Sequence, residues 1–215
     1  MTQQLGLFSA GDPAFPRDLS GLRWTDLDEG AWVAFAPGLM SGHDALYRAL
    51  VDDTSWRSGR RQMYDAEVDI PRLMARFPED GPAHPAIFAL RDALSRHFGR
   101  CLRQLSANWY RDGTDSVAPH SDKLGELKSD TVVAILSLGE PRPFVLRPKS
   151  GGKSAAKSRR YLLGWGDLLV MGGDCQDRWE HGVPKVAGGG GRISVMFRET
   201  PPQPPVLGPV VTQPV

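Results

Sequence analysis

Residues Ala107 to Asp122 read A-N-W-Y-R-D-G-T-D-S-V-A-P-H-S-D. A β-rich segment, Leu102 to Tyr110, runs into a turn signal at Asp112-Gly113, and the stretch closes in His120-Ser121-Asp122. In an extended strand, residues two apart point to the same side. The imidazole of His120 and the carboxylate of Asp122 then face one point. His181, in W-E-H-G-V-P, is the candidate third ligand from a later strand. Two imidazoles and one carboxylate suit Fe(II) and leave the opposite coordination positions open. H-x-D alone is a common surface tripeptide, so its weight comes from what accompanies it.

Downstream the texture is uniform. Short β-rich segments are predicted at Thr131–Leu138, Pro143–Arg147, Tyr161–Leu163, Asp167–Met171, Trp179–Val183 and Arg192–Arg198. Turn signals separate them at Gly139, Gly151-Gly152, Gly164, Gly172-Gly173 and Gly188 to Gly191. Many short strands with such turns make a sandwich or barrel, here a jelly roll. The 24 glycines and 18 prolines suit that architecture.

Upstream the pattern turns helical. Met1 to Gly30 reads as an extended arm broken by Pro13 and Pro16 and pinned by Phe8, Phe15 and Trp24. Ala31–Phe35 is a short strand. Ser41 reads as a helix N-cap with Asp44 three residues on, and Leu46, Ala49 and Leu50 give a stripe reaching about Val51. His84-Pro85 opens a second amphipathic helix through Ile87, Leu90, Leu94 and Phe98, with Gly99 placed to end it. Between the helices, Trp56 to Phe77 is locally basic: Arg57, Arg60, Arg61, Arg72 and Arg76 interleave with Trp56, Tyr64 and Phe77. That mixture fits a surface that grips phosphates and stacks bases. It equally fits a solvated hairpin whose aromatics belong to the core.

A net charge of +1 excludes a global field toward nucleic acid or membrane, so any basic surface is local. Two distant cysteines, Cys101 and Cys175, imply no disulfide framework and a reducing compartment, for which the cytoplasm is the expectation. The N-terminal text lacks the pattern of a signal peptide, and no run of about 18 apolar residues would span a membrane. A monomer is expected.

Arg192 and Arg198 lie six apart in R-I-S-V-M-F-R, so on a strand they share a side with Ser194 and Met196. If that side faces the barrel interior, two buried guanidinium groups demand an anion, and arginine grips a carboxylate with two parallel bonds. The alternative is an edge strand with Ile193, Val195 and Phe197 inward and the arginines in water. Asn108 and Tyr110, two apart, share a face as well, as part of a carboxylate cage or as a cross-strand polar pair.

In order, N-x-Y, H-x-D, H and R-x-S-x-x-x-R is a far rarer pattern than any of its parts. With N-W-Y-R-D-G-T-D, I-L-S-L-G, G-D-L-L-V-M-G-G and W-E-H-G-V-P-K, the chain resembles the AlkB-like 2-oxoglutarate- and Fe(II)-dependent dioxygenases, strongly over about residues 100 to 200. The resemblance implies an α+β fold: a double-stranded β-helix (jelly roll) core with N-terminal helices and a nucleotide-recognition lid. Residues 1–99 would hold arm, helices and lid, residues 100–200 the core, and residues 201–215 a Pro-rich disordered tail. It implies that His120, Asp122 and His181 ligate iron and carry the catalysis. Arg192 and Tyr110 would hold the distal carboxylate of 2-oxoglutarate, Arg198 and Asn108 would sit by its metal-chelating end, and Ser194 would lie near the cosubstrate. With O2, the reaction would yield succinate and carbon dioxide and hydroxylate an N-alkyl group, which leaves the base as an aldehyde. The partner implied is DNA or RNA, single-stranded or with a flipped base.

Substrate contacts are expected from Tyr64, Arg61, Arg72 and Lys123, with Tyr64 stacking on the base. The chain departs from several DNA-repair members after H-x-D, where Lys123-Leu124-Gly125 stands in place of an early acidic residue. It departs again at Ala75 to Gly81, where the lid of other members is rich in aromatics. A Ser/Gly-rich loop from Arg147 to Arg160 adds Lys149, Lys153, Lys157 and Arg159, as a phosphate clamp or a solvated loop. Two other readings remain: an oxygenase acting on a small molecule or protein, and a non-catalytic nucleic-acid-binding barrel with a vestigial metal site.

Overall fold

The computed structural model describes residues 11–28, 30–63, 66–78, 83–122, 130–149 and 157–200, with backbone alone at 61–63 and 66–68. In chain order the elements are β1 (Arg23–Asp28), β2 (Ala31–Ala36), α1 (His43–Asp53), β3 (Arg60–Met63), β4 (Ala66–Asp69), β5 (Leu73–Phe77) and α2 (Pro85–Phe98). Then come β6 (Gln104–Tyr110), β7 (Val117–His120), β8 (Thr131–Gly139), β9 (Arg142–Pro148), β10 (Arg159–Leu163), β11 (Asp167–Gly173), α3 (Cys175–Arg178), β12 (Trp179–Val183) and β13 (Arg192–Arg198). A large sheet runs β1-β2-β11-β8-β13-β6-β5, a smaller one β10-β9-β12-β7, and β3-β4 is a separate hairpin. The ladders pair antiparallel, as a jelly roll requires.

The large sheet is covered on both faces, so β8 reads as an almost unbroken apolar run rather than an alternating one. One face packs on the helices. Ala134 and Leu136 of β8 and Ile193, Val195 and Phe197 of β13 cluster there with Leu46 and Leu50 of α1 and Ile87, Leu90 and Leu94 of α2. The other face looks at the small sheet: Val133, Ile135, Met171 and Met196 meet Phe144, Leu146, Trp179 and Val183. Burying an aliphatic or phenyl side chain stabilises the fold by about 1.5–3 kcal/mol.

The region expected to be an arm contains β1, whose Arg-Trp-Thr-Asp-Leu-Asp text pairs with β2. Phe15 packs on the helix-side core. Trp24 touches Trp32 at 4.5 Å and Phe98 at 5.9 Å between ring centroids. Phe8 and residues 201–215 lie outside the described residues. Ser41 is not the cap of α1. The cap is Gly42, at φ 62, where a Cβ would lie 2.4 Å from the carbonyl oxygen of Gly11. Ser41 instead bridges to Ala14, its hydroxyl donating to the Ala14 carbonyl at 3.0 Å. Helix α2 begins as expected: Nδ1 of His84 accepts from the Ala86 N–H at 3.2 Å, Pro85 opens the first turn, and Gly99 closes it at φ 63.

Within Trp56 to Phe77 the core alternative holds for the two described aromatics. Phe77 is buried on the helix side, and Trp56 packs there against Trp109 at 5.5 Å. Among the described residues β7 has a single sheet neighbour, β12, and contains Pro119. No described helix is long and apolar enough to cross a membrane.

Candidate active site

Strands β7 and β12 pair so that His120 stands directly opposite His181, with ring centroids 4.4 Å apart. β7 ends at His120, so Asp122 does not reach the site by continuing the strand. The chain turns, held by the Ser121 hydroxyl donating to the Trp179 carbonyl at 2.8 Å. The Asp122 N–H donates to Gln176 Oε1 at 2.8 Å. The ligand atoms of His120, Asp122 and His181 all lie within 4.8 Å of one another.

The donors are in the form a metal needs. His120 Nδ1 lies 3.0 Å from the Ala118 carbonyl, which accepts its proton and leaves Nε2 as the lone pair for a metal. His181 is stacked on Phe144 at 5.5 Å. Burial pushes its imidazole down to about 4 against the opposing pull of the Asp122 carboxylate, so it is neutral at pH 7. Burial would raise the Asp122 carboxyl, yet its surroundings, the Arg198 charge foremost, hold the group below its ordinary value. Asp122 Oδ1 accepts from Arg198 Nη2 at 2.8 Å. Oδ2 is buried without a hydrogen-bond partner among the described residues, 3.8 Å from His181 Nε2. Two facing imidazoles beside a buried carboxylate oxygen without a hydrogen-bond partner among the described residues fit a divalent iron ion.

The facing sheet supplies the rest. In register, Arg192 lies opposite Tyr110, and Ser194 opposite Asn108. Arg192 is 0% exposed, which excludes the edge-strand alternative: β13 is central and both its faces are buried. Its Nε donates to the Ser137 hydroxyl at 2.6 Å, and its guanidinium carbon lies 5.4 Å from the Tyr110 ring centroid. Nη1 and Nη2 are buried without partners among the described residues. Burial pushes this guanidinium down to about 10, with the Tyr110 phenol opposing. A buried cation in that condition calls for an anion with two acceptor oxygens. Arg198 differs: Nη1 donates to the Ser106 hydroxyl at 2.7 Å while Nη2 holds Asp122. Asn108 Nδ2 donates to Met196 Sδ at 3.6 Å.

Of the eight residues expected to bind metal and cosubstrate, seven thus stand on the facing surfaces of the two sheets, and Asp122 joins them from the turn after β7. The expected substrate contacts do not assemble in the same way. Tyr64 and Lys123 lie outside the described residues, and of Arg61 only the backbone in β3 is described. Arg72 turns toward the barrel: Nη1 donates to the Ser116 carbonyl at 3.3 Å, and its charge acts on Tyr110. In the basic loop, Arg147 pairs with Glu180 at 2.9 Å and Lys149 donates to the Gln176 carbonyl at 3.0 Å. Arg159 and Arg160 are exposed, and residues 150–156, Lys153 among them, lie outside the described residues.

Sequence reading missed Ser106, Ser137, Gln176 and Arg142. A serine inside the apolar run of β8 was the available signal for Ser137, because a hydroxyl buried there needs a partner. Gln176 had none.

Comparison with known proteins agrees with this geometry. A family model described as the 2OG-Fe(II) oxygenase superfamily matches residues 78–198. The alpha-ketoglutarate-dependent dioxygenase alkB homolog 3 of Rattus norvegicus is 30% identical over 192 residues, covering 80% of this chain and 65% of that protein. Its Bos taurus counterpart is 29% identical, covering 80% of this chain and 67% of that protein. The human DNA oxidative demethylase ALKBH2 is 28% identical over 161 residues, 66% of this chain and 62% of that protein. The chain thus spans about two thirds of the length of these relatives. The solved structure of OsALKBH1 aligns with a TM-score of 0.53 at 16% identity, over 82% of this chain and 100% of that one, a likeness of fold. With its iron-ready triad and its matched span, the chain belongs to the 2OG-Fe(II) oxygenase superfamily as an AlkB-like dioxygenase, whose cofactors are Fe(II), 2-oxoglutarate and O2.

Proposed function

We propose that the protein oxidatively removes alkyl groups from base nitrogens in DNA or RNA. The observation that carries this reading is the pair of orphans in one inter-sheet space: Asp122 Oδ2 beside two imidazoles, and the two terminal nitrogens of Arg192. His120, Asp122 and His181 would hold Fe(II), which when bound supplies the coupling of 2-oxoglutarate decarboxylation to hydroxylation of an alkyl carbon. Arg192 and Tyr110 take the distal carboxylate of 2-oxoglutarate, the guanidinium donating two parallel bonds and the phenol O–H a further one. Arg198 fixes Asp122 and keeps it ionised. Asn108 and Ser194 line the space between the two ends. The hydroxylated alkyl group then leaves the base nitrogen as an aldehyde without further help.

The substrate class rests on the relatives, one of which is named a DNA oxidative demethylase. The β3–β4 hairpin supports it as a nucleotide-recognition lid. Beyond the hairpin the chain is bonded to the segment leading into β7: the Ser116 N–H donates to the Pro71 carbonyl at 2.8 Å, and Arg72 to the Ser116 carbonyl. A base held under the hairpin would therefore lie against the strand that carries His120. The substrate is single-stranded or has its target base flipped, because the alkylated nitrogen is inaccessible in a stacked duplex.

The test is incubation with Fe(II), 2-oxoglutarate and single-stranded DNA or RNA containing 1-methyladenine or 3-methylcytosine. Formaldehyde release with matching succinate is expected. Succinate without formaldehyde from any of these substrates would remove the nucleic-acid assignment and leave an oxygenase of another substrate. No succinate under any condition would remove the enzyme.

A further inference from the structure

Arg142 opens β9 and is 1% exposed, yet none of the roles above uses it. Its guanidinium donates to backbone carbonyls alone: Nη1 to Asp112 at 2.6 Å, and Nη2 to Asp115 at 2.9 Å, Pro184 at 3.0 Å and Gly113 at 3.4 Å. These acceptors belong to two loops. One follows Tyr110, the last residue of β6; the other leads to Arg192, the first residue of β13. Tyr110 and Arg192 are themselves paired across the sheet. Arg142 therefore ties together the two chain segments that grow out of the two residues assigned to the distal carboxylate.

The loops also interlock directly. The Val186 N–H donates to the Gly113 carbonyl at 2.9 Å. A Cβ on Gly113 would lie 2.4 Å from the Gly188 carbonyl oxygen and 2.5 Å from that of Val186, so only glycine fits. On its inner side the Arg142 guanidinium carbon lies 5.9 Å from the Tyr110 ring centroid, while that of Arg192 lies 5.4 Å from it. The Tyr110 ring thus has two guanidinium groups beside it. The Asp115 carboxylate, whose charge acts on Arg142, is already held by both Nε and Nη2 of Arg111.

We propose that Arg142 is a positioning residue that sets the depth of the cosubstrate pocket, and so makes the site select the five-carbon 2-oxo diacid over its longer homologue. This rests on the assignment of Arg192 and Tyr110 to the distal carboxylate. Arg142 fixes the two loops, the loops fix Tyr110 and Arg192, and those two fix the distance from the carboxylate anchor to the metal ligands. A lysine at 142 is a single point charge with three donors and cannot reproduce the planar fork that reaches both loops.

The experiment is anaerobic binding of 2-oxoglutarate and of 2-oxoadipate to the Mn(II)-loaded full chain, followed by titration calorimetry, with Mn(II) affinity measured separately in the absence of diacid. The wild type is expected to prefer 2-oxoglutarate by about tenfold or more, the scale that one methylene sets in a closed pocket. Arg142→Lys is expected to weaken 2-oxoglutarate binding and bring the ratio of the two affinities toward one, with Mn(II) affinity unchanged. Gly113→Ala, which forces the loops apart without touching a charge, should move the ratio the same way, and it decides the matter if Arg142→Lys does not fold. An unchanged ratio in the folded variants, or equal wild-type affinities for the two diacids, overturns the inference. Arg192→Met separates the two levels. If it leaves 2-oxoglutarate binding intact, the carboxylate assignment itself is wrong. If it abolishes binding while the other two variants keep the ratio, only the role of Arg142 falls.

Discussion

The two faces of β13 both lie largely buried and are chemically opposite. Ile193, Val195 and Phe197, each 0% exposed, meet the helices in an apolar cluster that needs nothing further. Arg192, Ser194, Met196 and Arg198 point between the sheets, where one guanidinium has two nitrogens without partners among the described residues. Hydrophobic burial alone would make both faces alike. An uncompensated buried cation destabilises the fold, so its presence on one face points to a ligand that offsets it. One strand thus separates stability from chemistry by residue parity.

That separation can be broken by substitution. Asp122→Ala is the largest expected effect: succinate formation lost completely with the circular dichroism spectrum unchanged. Measurable turnover would remove the triad. Phe197→Ala on the helix face should cost about 3–5 kcal/mol of stability in urea unfolding. Its folded fraction should still bind 2-oxoglutarate with wild-type affinity; a large affinity loss would mean that the two faces are not independent. Arg192→Met should invert that outcome. Cosubstrate affinity falls by about 3 kcal/mol, roughly a hundredfold, while stability holds or rises, because an apolar chain replaces an unsatisfied charge. A marked loss of stability would show that the arginine is structural.

Two smaller tests refine the boundary. Asp115 accepts both Nε and Nη2 of Arg111, which with the Arg111 N–H holds its carboxyl below the ordinary value of 3.8. A lowered carboxyl contributes stability that is fully present above the unfolded value and disappears as pH falls through the folded one. Because Arg111 is half-exposed, Asp115→Asn should cost only about 1 kcal/mol at pH 7. The difference from wild type should shrink as pH falls below 3.8 and vanish once the folded carboxyl is protonated as well; a gap that persists there would assign the effect to packing. Met196→Leu, nearly volume-conserving, should cost less than about 1.5 kcal/mol.

The sequence carried β2, β6 and β8 to β13 because β-rich runs and glycine turns are local, and β12 and β13 fall where their patterns place them, whereas β1 lay in a stretch read as an arm and β5 in one read as a basic surface. The triad was legible for a different reason: few residue types hold iron, and their order along the chain is informative. What failed was absolute orientation. A spacing of six says that Arg192 and Arg198 share a face, but only the neighbouring strands say that this face is buried. The same limit hid the route of Asp122, which reaches the site after the strand has ended, by way of Gln176 from α3. Ser41 misled because its hydroxyl has two possible uses, a cap or a bridge, and the close approach of Gly11 to Gly42 reserves the cap position for glycine. Arg142 was silent because its partners are carbonyls, which every residue possesses.

Pro119 has a consequence for how the molecule behaves in a crowded solution. It lies one residue before His120, on a strand that the described residues pair on one side only. An open strand border invites a stranger's backbone to add itself, by the same ladder chemistry that builds fibrils. A pyrrolidine has no N–H to offer such a visitor. The strand that carries His120 is therefore a poorer template for self-association than one with every N–H in place.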